Sequence, residues 1–161
     1  MKATAAVIRE AEGASDMAGV RRLFLDYQDW LQVDLSFQGF AEEVRSLPGR
    51  YARPFGRLLL AVDGDEIAGG VGMWALEPPE VCEMKRLFVY DRWQGRGLGR
   101  RLAEAIMTEA TAAGYARMRL DTLGFMAAAR SLYRALGFVE CAPYYDNPLA
   151  DVLYLEKRLA G

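Results

Sequence analysis

The sequence predicts a single domain of mixed α+β fold, and three observations carry that reading. The first half alternates apolar and polar residues in short runs joined by tight turns, the mark of hairpins. The second half alternates strand-like runs with helices that carry one apolar stripe, the mark of β-α-β units. The chain, 161 residues, is one domain's worth and shows no internal repeat, low-complexity segment or linker, so 1–161 is read as one unit.

Each element follows from its residues. Val7 to Glu12 alternates and reads as a first strand. Gly13 and Ala14 turn it, and Ser15 is the expected N-cap of a helix. Met17, Val20, Phe24, Tyr27 and Leu31 then recur three and four apart, giving that helix one apolar face. Phe40 to Leu47 reads as a shorter second helix, and the prolines and glycines from Pro48 to Gly56 make a loop. Leu58 to Val62 and Glu66 to Leu76 pair through an Asp63-Gly64-Asp65 turn, and the glycines at 69, 70 and 72 imply a bulge or a close backbone approach. Pro78 and Pro79 force a turn before a strand from Val81 to Tyr90. Leu98, Leu102, Ile106 and Ala110 repeat every four positions in a helix closed by Gly114. Arg117 to Leu123 alternates as a strand. Ala127 to Leu136 is helical and closed by Gly137. Phe138 to Ala142 and Val152 to Leu159 complete the order β-α-α-β-β-β-α-β-α-β-β.

Composition excludes several chemistries. There is no histidine, which removes His-based triads, His metal sites and the commonest general base. Two cysteines, Cys82 and Cys141, cannot make a Cys₄ zinc site and read as buried thiols; no metal is expected. The net charge of −2 gives no global attraction to nucleic acid or to an anionic membrane. Met1 to Ala14 is broken by Arg9, Glu10 and Glu12 and lacks a signal-peptide core, and no stretch approaches the ~18 apolar residues of a membrane span. A cytoplasmic protein is expected.

The most informative stretch is Gln94-Gly95-Arg96-Gly97-Leu98-Gly99-Arg100-Arg101, which follows a strand and opens a helix. Its glycines let the backbone approach a ligand, and the helix start offers unpaired N–H groups and a positive dipole end. From Lys85 to Arg101 the local charge is +5, leaving −7 elsewhere, so a small polyanion is expected rather than a nucleic-acid track. The spacing is G-x-G-x-G, not the G-x-G-x-x-G of dinucleotide folds, and Gly99 is not followed by the G-K-[ST] ending of a Walker loop. Gln94 to Gly99 instead reads Q-x-x-G-x-G.

With that motif the chain resembles the GNAT superfamily of N-acetyltransferases. Glu83-Met84-Lys85-Arg86-Leu87-Phe88-Val89 looks like the family's central bulged strand, and Leu132-Tyr133-Arg134-Ala135-Leu136-Gly137-Phe138 like its last helix entering the next strand. The resemblance implies a central mixed, mostly antiparallel sheet of about seven strands flanked by about four helices. It implies acetyl-coenzyme A in a cleft between two splayed strands. The pantetheine arm would lie along Leu87, Phe88 and Val89, and the pyrophosphate on the turn formed by Gln94, Gly95, Arg96, Gly97, Leu98, Gly99 and Arg100. Glu83 stands where many members carry a catalytic glutamate, and partial burial would suit that role. Tyr133 stands where a tyrosine is often proposed to protonate the leaving thiolate, at the edge of a buried stripe expected from Ala129, Leu132 and Leu136. The sequence departs from the family in lacking an asparagine early in the last helix; its one asparagine is Asn147.

The reaction so implied is transfer of an acetyl group to a primary amine by direct attack in a ternary complex, since neither cysteine has a histidine to activate it. Tyr144, Tyr145 and Asp146, in the loop before the last strand, are expected with Glu83 to favour a small cationic amine, a free amino acid ahead of a protein lysine. The alternatives are a non-catalytic acyl-coenzyme A sensor and a protein or peptide N-acetyltransferase. A homodimer is common in the family.

Overall fold

The computed structural model describes residues 6–159. The first five residues of the Met1 to Ala14 segment read above therefore lie outside the described residues. The elements are β1 (Val7–Glu10), α1 (Gly13–Leu31), α2 (Phe40–Arg45), β2 (Arg57–Asp63), β3 (Glu66–Ala75), β4 (Val81–Val89), α3 (Leu98–Ala112), β5 (Arg117–Leu123), α4 (Ala127–Ala135), β6 (Val139–Glu140) and β7 (Val152–Arg158). The sheet runs β1-β2-β3-β4-β5-β7-β6, and every pairing is antiparallel except that of β4 with β5. Order and sheet match the expected mixed α+β architecture. The sheet divides two apolar layers: Val20, Leu23, Phe24, Phe40 and Val44 of α1 and α2 pack on one side, and Leu98, Leu102, Ile106 and Ala110 of α3 with Tyr133 of α4 on the other.

Local chemistry moves some boundaries. Ser15 does not cap α1: the helix starts at Gly13, and the Glu12 N–H donates to Asp16 Oδ2 at 2.8 Å, with Arg9 clamping the same carboxylate. The second helix stops at Arg45, and the sixth strand keeps only two residues. Gly114 and Gly137 end α3 and α4 at φ +96° and +97°, and the following N–H groups of Tyr115 and Phe138 reach back to Ala110 O and Tyr133 O. In β3, Gly72 lies so close to the Tyr51 ring that an added Cβ would come within 2.6 Å of it, which is the close approach expected of that glycine run.

The decisive irregularity is in β4. Its register against β3 slips between Gly70 and Gly72, setting Arg86 and Leu87 opposite the single Val71, and Arg86 takes φ +61°. A non-glycine residue there costs roughly 1–3 kcal/mol. The bulge turns two consecutive side chains to one side: Lys85 reaches Gln38, just before α2, and Arg86 reaches Glu43 on α2. The Arg86–Glu43 pair is bidentate at 3.1 and 2.8 Å and buried, and the Tyr51 hydroxyl donates a third bond to the carboxylate at 2.6 Å. Burial alone would raise the Glu43 carboxyl, but the bonds and charge of Arg86 outweigh it and hold it below its ordinary value.

This pair sets a testable stability term. Glu43→Gln leaves the Arg86 guanidinium buried without a counter-charge, and the unfolding free energy should fall by about 3–5 kcal/mol, read from the denaturant midpoint. Because the folded carboxyl titrates below its unfolded value, its contribution is complete above the ordinary carboxylate range and is lost as the pH falls through the lower folded value. The variant should therefore lose less stability than the parent across that acid window. A variant within about 1 kcal/mol of the parent at neutral pH would contradict this role.

Candidate active site

The site begins where two strands part. β4 and β5 pair for only three residues, Val81–Arg117, Cys82–Met118 and Glu83–Arg119. Beyond Glu83, β4 continues through its bulge to Val89 while β5 continues to Leu123 paired with β7. Between them lies a narrow cleft of about 90 Å³, walled by Met84–Leu87 and Leu120–Leu123, and lined further by Ala129 and Tyr133 of α4, by Met126 just before that helix, and by Tyr27 and Leu31 of α1.

The glycine turn lies beyond the end of β4. Gly95 and Gly97 take φ +78° and +77°, both are exposed, and a Cβ on either would meet nothing within 4 Å, so the turn is open to a ligand on that side. Gly97 is the N-cap of α3 and accepts from the Arg101 N–H. The Gln94 side chain donates to Val89 O at 2.8 Å, tying the turn to the strand. Leu98 is buried in the core, so only its backbone is available to a ligand.

The positive run does not form one patch. Lys85 and Arg86 are buried toward α2, Arg92 pairs with Glu66, and Arg101 donates to Ala6 O at 2.8 Å. Arg100 pairs with Glu104 at 3.2 Å on the exposed face of α3. Arg96 is exposed on the turn itself, so the charge expected to gather around one polyanion is divided, its first two members redirected by the bulge.

Glu83 is 4% exposed, and both carboxylate oxygens are held: Trp74 Nε1–H donates to Oε1 at 2.8 Å and the Tyr144 hydroxyl donates to Oε2 at 2.6 Å. Trp74 is its cross-strand neighbour on β3. A recess of about 220 Å³ opens beside it, lined by Glu83, Lys85, Trp74, Tyr144, Tyr145, Phe37, Gln38 and Arg50. Tyr145 donates to Asp121, and Asn147 donates to that hydroxyl at 2.8 Å and to Asp121 at 3.3 Å. Asn147 lines the cleft, so the chain's one asparagine does face it, though from the loop before β7 rather than from the last helix. Burial, with Glu83 next to Tyr144 and Asp121 next to Tyr145, pushes both phenols up, so both are hydrogen-bond donors at neutral pH.

Two expectations need correcting. Asp146 is exposed and is not among the residues lining the recess; Lys85 and Arg50 are there instead, so the recess is not the acidic one expected. Tyr133 is not at the edge of a stripe: it is the buried residue of α4, edge-on to Phe138, whereas Ala129, Leu132 and Leu136 are half-buried. Burial raises its hydroxyl above the ordinary phenol range. Cys82 is buried and its thiol is pushed up to about 12, while Cys141 is half-buried; neither is a poised nucleophile.

Residues 20–138 match the family model described as acetyltransferase (GNAT) family. An uncharacterized N-acetyltransferase of Schizosaccharomyces pombe is 34% identical, over 90% of this chain and 90% of its own length. Another, of Dictyostelium discoideum, is 29% identical over 95% of this chain and 99% of its own. A GNAT-family acetyltransferase of Staphylococcus aureus shares the fold at a TM-score of 0.80 and 19% identity, covering 97% of this chain and 100% of that one. A Salmonella typhimurium acetyltransferase solved with its cofactor acetyl-CoA shares it at a TM-score of 0.70 and 21% identity, over 97% and 95%. With a family model across most of its length, relatives that are N-acetyltransferases and a sheet that parts beside an open glycine turn, the chain belongs to the acetyltransferase (GNAT) family as an N-acetyltransferase.

Proposed function

We propose that the protein transfers the acetyl group of acetyl-coenzyme A to the primary amine of a small molecule, by direct attack with both substrates bound. The observation that carries this reading is that two cavities share a wall: Lys85 and Gln38 line both the cleft between β4 and β5 and the recess beside Glu83. The cleft residues fit the cofactor. The exposed glycine turn, with Gly97 capping α3 and the first N–H groups of that helix lacking intrahelical partners, suits a pyrophosphate on Gly95 to Arg100, and Leu87, Phe88 and Val89 offer strand backbone to an extended arm. Bound there, acetyl-coenzyme A supplies an activated acyl group. The recess is smaller than the ~300–1,000 Å³ of drug-sized sites, which favours a small metabolite over a peptide. A recess for a second substrate also favours an enzyme over a sensor.

The roles follow from placement. Glu83, fixed in orientation by Trp74 and Tyr144, takes the proton that the attacking ammonium must lose. Each of its oxygens keeps a lone pair for that proton. Tyr133 lines the cleft in protonated form and gives a proton to the departing sulfur.

Gly97→Val forces a β-branched residue to φ +77° and covers the open side of the turn. It should abolish acetyl-coenzyme A binding by calorimetry; unchanged affinity in a folded variant would remove the turn from the cofactor site. Glu83→Gln should lower turnover by ~10² to 10⁴ with little change in cofactor affinity, and the loss should shrink at high pH, where the amine deprotonates by itself. A small, pH-independent loss would make Glu83 structural. Tyr133→Phe keeps the packing on Phe138 and removes only the donor. Its melting should stay within ~1 kcal/mol of the parent while turnover falls, and full turnover would leave Tyr133 a packing residue.

A further inference from the structure

The recess holds a charge that acetyl transfer does not use. Lys85 is 6% exposed, and its ammonium makes a single hydrogen bond among the described residues, to Gln38 Oε1 at 3.3 Å. Glu83 Oε1 is 3.9 Å away, beyond hydrogen-bond range, and already accepts from Trp74. The Trp74 ring lies 5.0 Å from the ammonium. An ammonium has three donors, and a buried cation short of acceptors is costly unless something completes it. Arg50 adds a second cation at the exposed rim, its guanidinium 3.8 Å from the centre of the Trp74 ring and its Nη2–H bonded to Ala75 O. The charged lining is therefore two cations against the single carboxylate that takes the amine.

We infer that the acceptor is an amine bearing a carboxylate, which Lys85 binds inside the recess while Arg50 attracts it at the rim. This rests on the small-amine reading above and names the class within it. Glu83 and Lys85, opposite in charge and 3.9 Å apart, form a template for an amine and a carboxylate carried on neighbouring atoms, as in an α-amino acid. The acceptor's charges pair antiparallel with the template, the ammonium on Glu83 and the carboxylate on Lys85. Trp74, Phe37 and Tyr144 leave an aromatic wall for whatever the α-carbon carries. Burial pushes the Lys85 ammonium below its ordinary value and the charge of Arg86 adds to the push, against the opposing charges of Glu83, Asp121 and Glu43; an incoming carboxylate supplies the hydrogen-bond acceptors that these do not. A polyamine or a simple alkylamine would add positive charge to a recess already cationic and leave Lys85 uncompleted.

The test is release of free coenzyme A by the full chain with acetyl-coenzyme A and matched acceptors: α-amino acids, their decarboxylated amines, their α-amides and the corresponding aminophosphonates. The acids should exceed the decarboxylated amines and amides by about 10²-fold or more in kcat/KM, as a site built around a buried polar group rejects analogues that leave it unpaired. Lys85→Met and Arg50→Gln should each raise KM for the acid by about 10- to 100-fold, the range for a lost hydrogen bond to a charged group, and more than for the decarboxylated amine. Arg50 is exposed, so its variant answers even where Lys85→Met fails to fold. Equal turnover of acids and decarboxylated amines overturns the inference and leaves the small-amine reading standing. Preference for aminophosphonates overturns the carboxylate. No release with any small amine overturns both.

Discussion

The structure depends on the parting of β4 from β5. Two parallel strands that pair for three residues and then separate leave strand backbone facing an open space in the middle of a sheet. In a sheet buried on both faces that is an expensive arrangement, since unpaired N–H and C=O groups are rarely tolerated without a partner. The bulge at Arg86 makes it possible, because the extra residue changes the course of β4 where the separation begins. Arg86 holds a left-handed conformation that its own chemistry disfavours, and the buried bidentate pair with Glu43 stabilises it there. One ion pair between α2 and β4 thus underlies both the cleft and the course of the strand beside it.

The same bulge sorts the charges. Regular alternation would send Lys85 and Arg86 to opposite faces. With the bulge both face the α2 side, one completing Glu43 and the other entering the recess beside Glu83. The glycine turn keeps Arg96, Arg100 and its own amides, a smaller electrostatic attraction than the whole run of charge implies. Recognition at the turn then rests on backbone geometry, which glycines at positive φ provide and which no side chain need supply.

Much of this was legible in the chain. Spacings of three and four fixed the faces of α1 and α3, and Gly114 and Gly137 marked helix ends, because those signals act within one or two turns. Q-x-x-G-x-G was legible for the same reason: strand, turn and helix start are contiguous. What stayed hidden is long-range. Nothing local tells that Tyr144 closes on Glu83 across 61 positions, or that Glu43 finds Arg86 across 43. Tyr133 was misplaced because helical periodicity gives angles around an axis and not which angle meets the core; the aromatic at Phe138 decided it. Asp146 was grouped with its tyrosine neighbours by adjacency, while the loop turns it to solvent. Trp74 had one usable signal, since it faces Glu83 in the stretch of β3–β4 register that runs unbroken from the Leu76–Val81 turn, ahead of the bulge.

The most direct test of this account is amide hydrogen exchange with and without acetyl-coenzyme A. The account predicts slowed exchange confined to two segments, Leu87 to Val89 of β4 beyond the bulge and Gly95 to Arg100 of the turn, because the first carries strand backbone beside the parting of β4 and β5 and the second the N–H groups at the start of α3. Protection that leaves both segments unchanged while another part of the surface slows would contradict it.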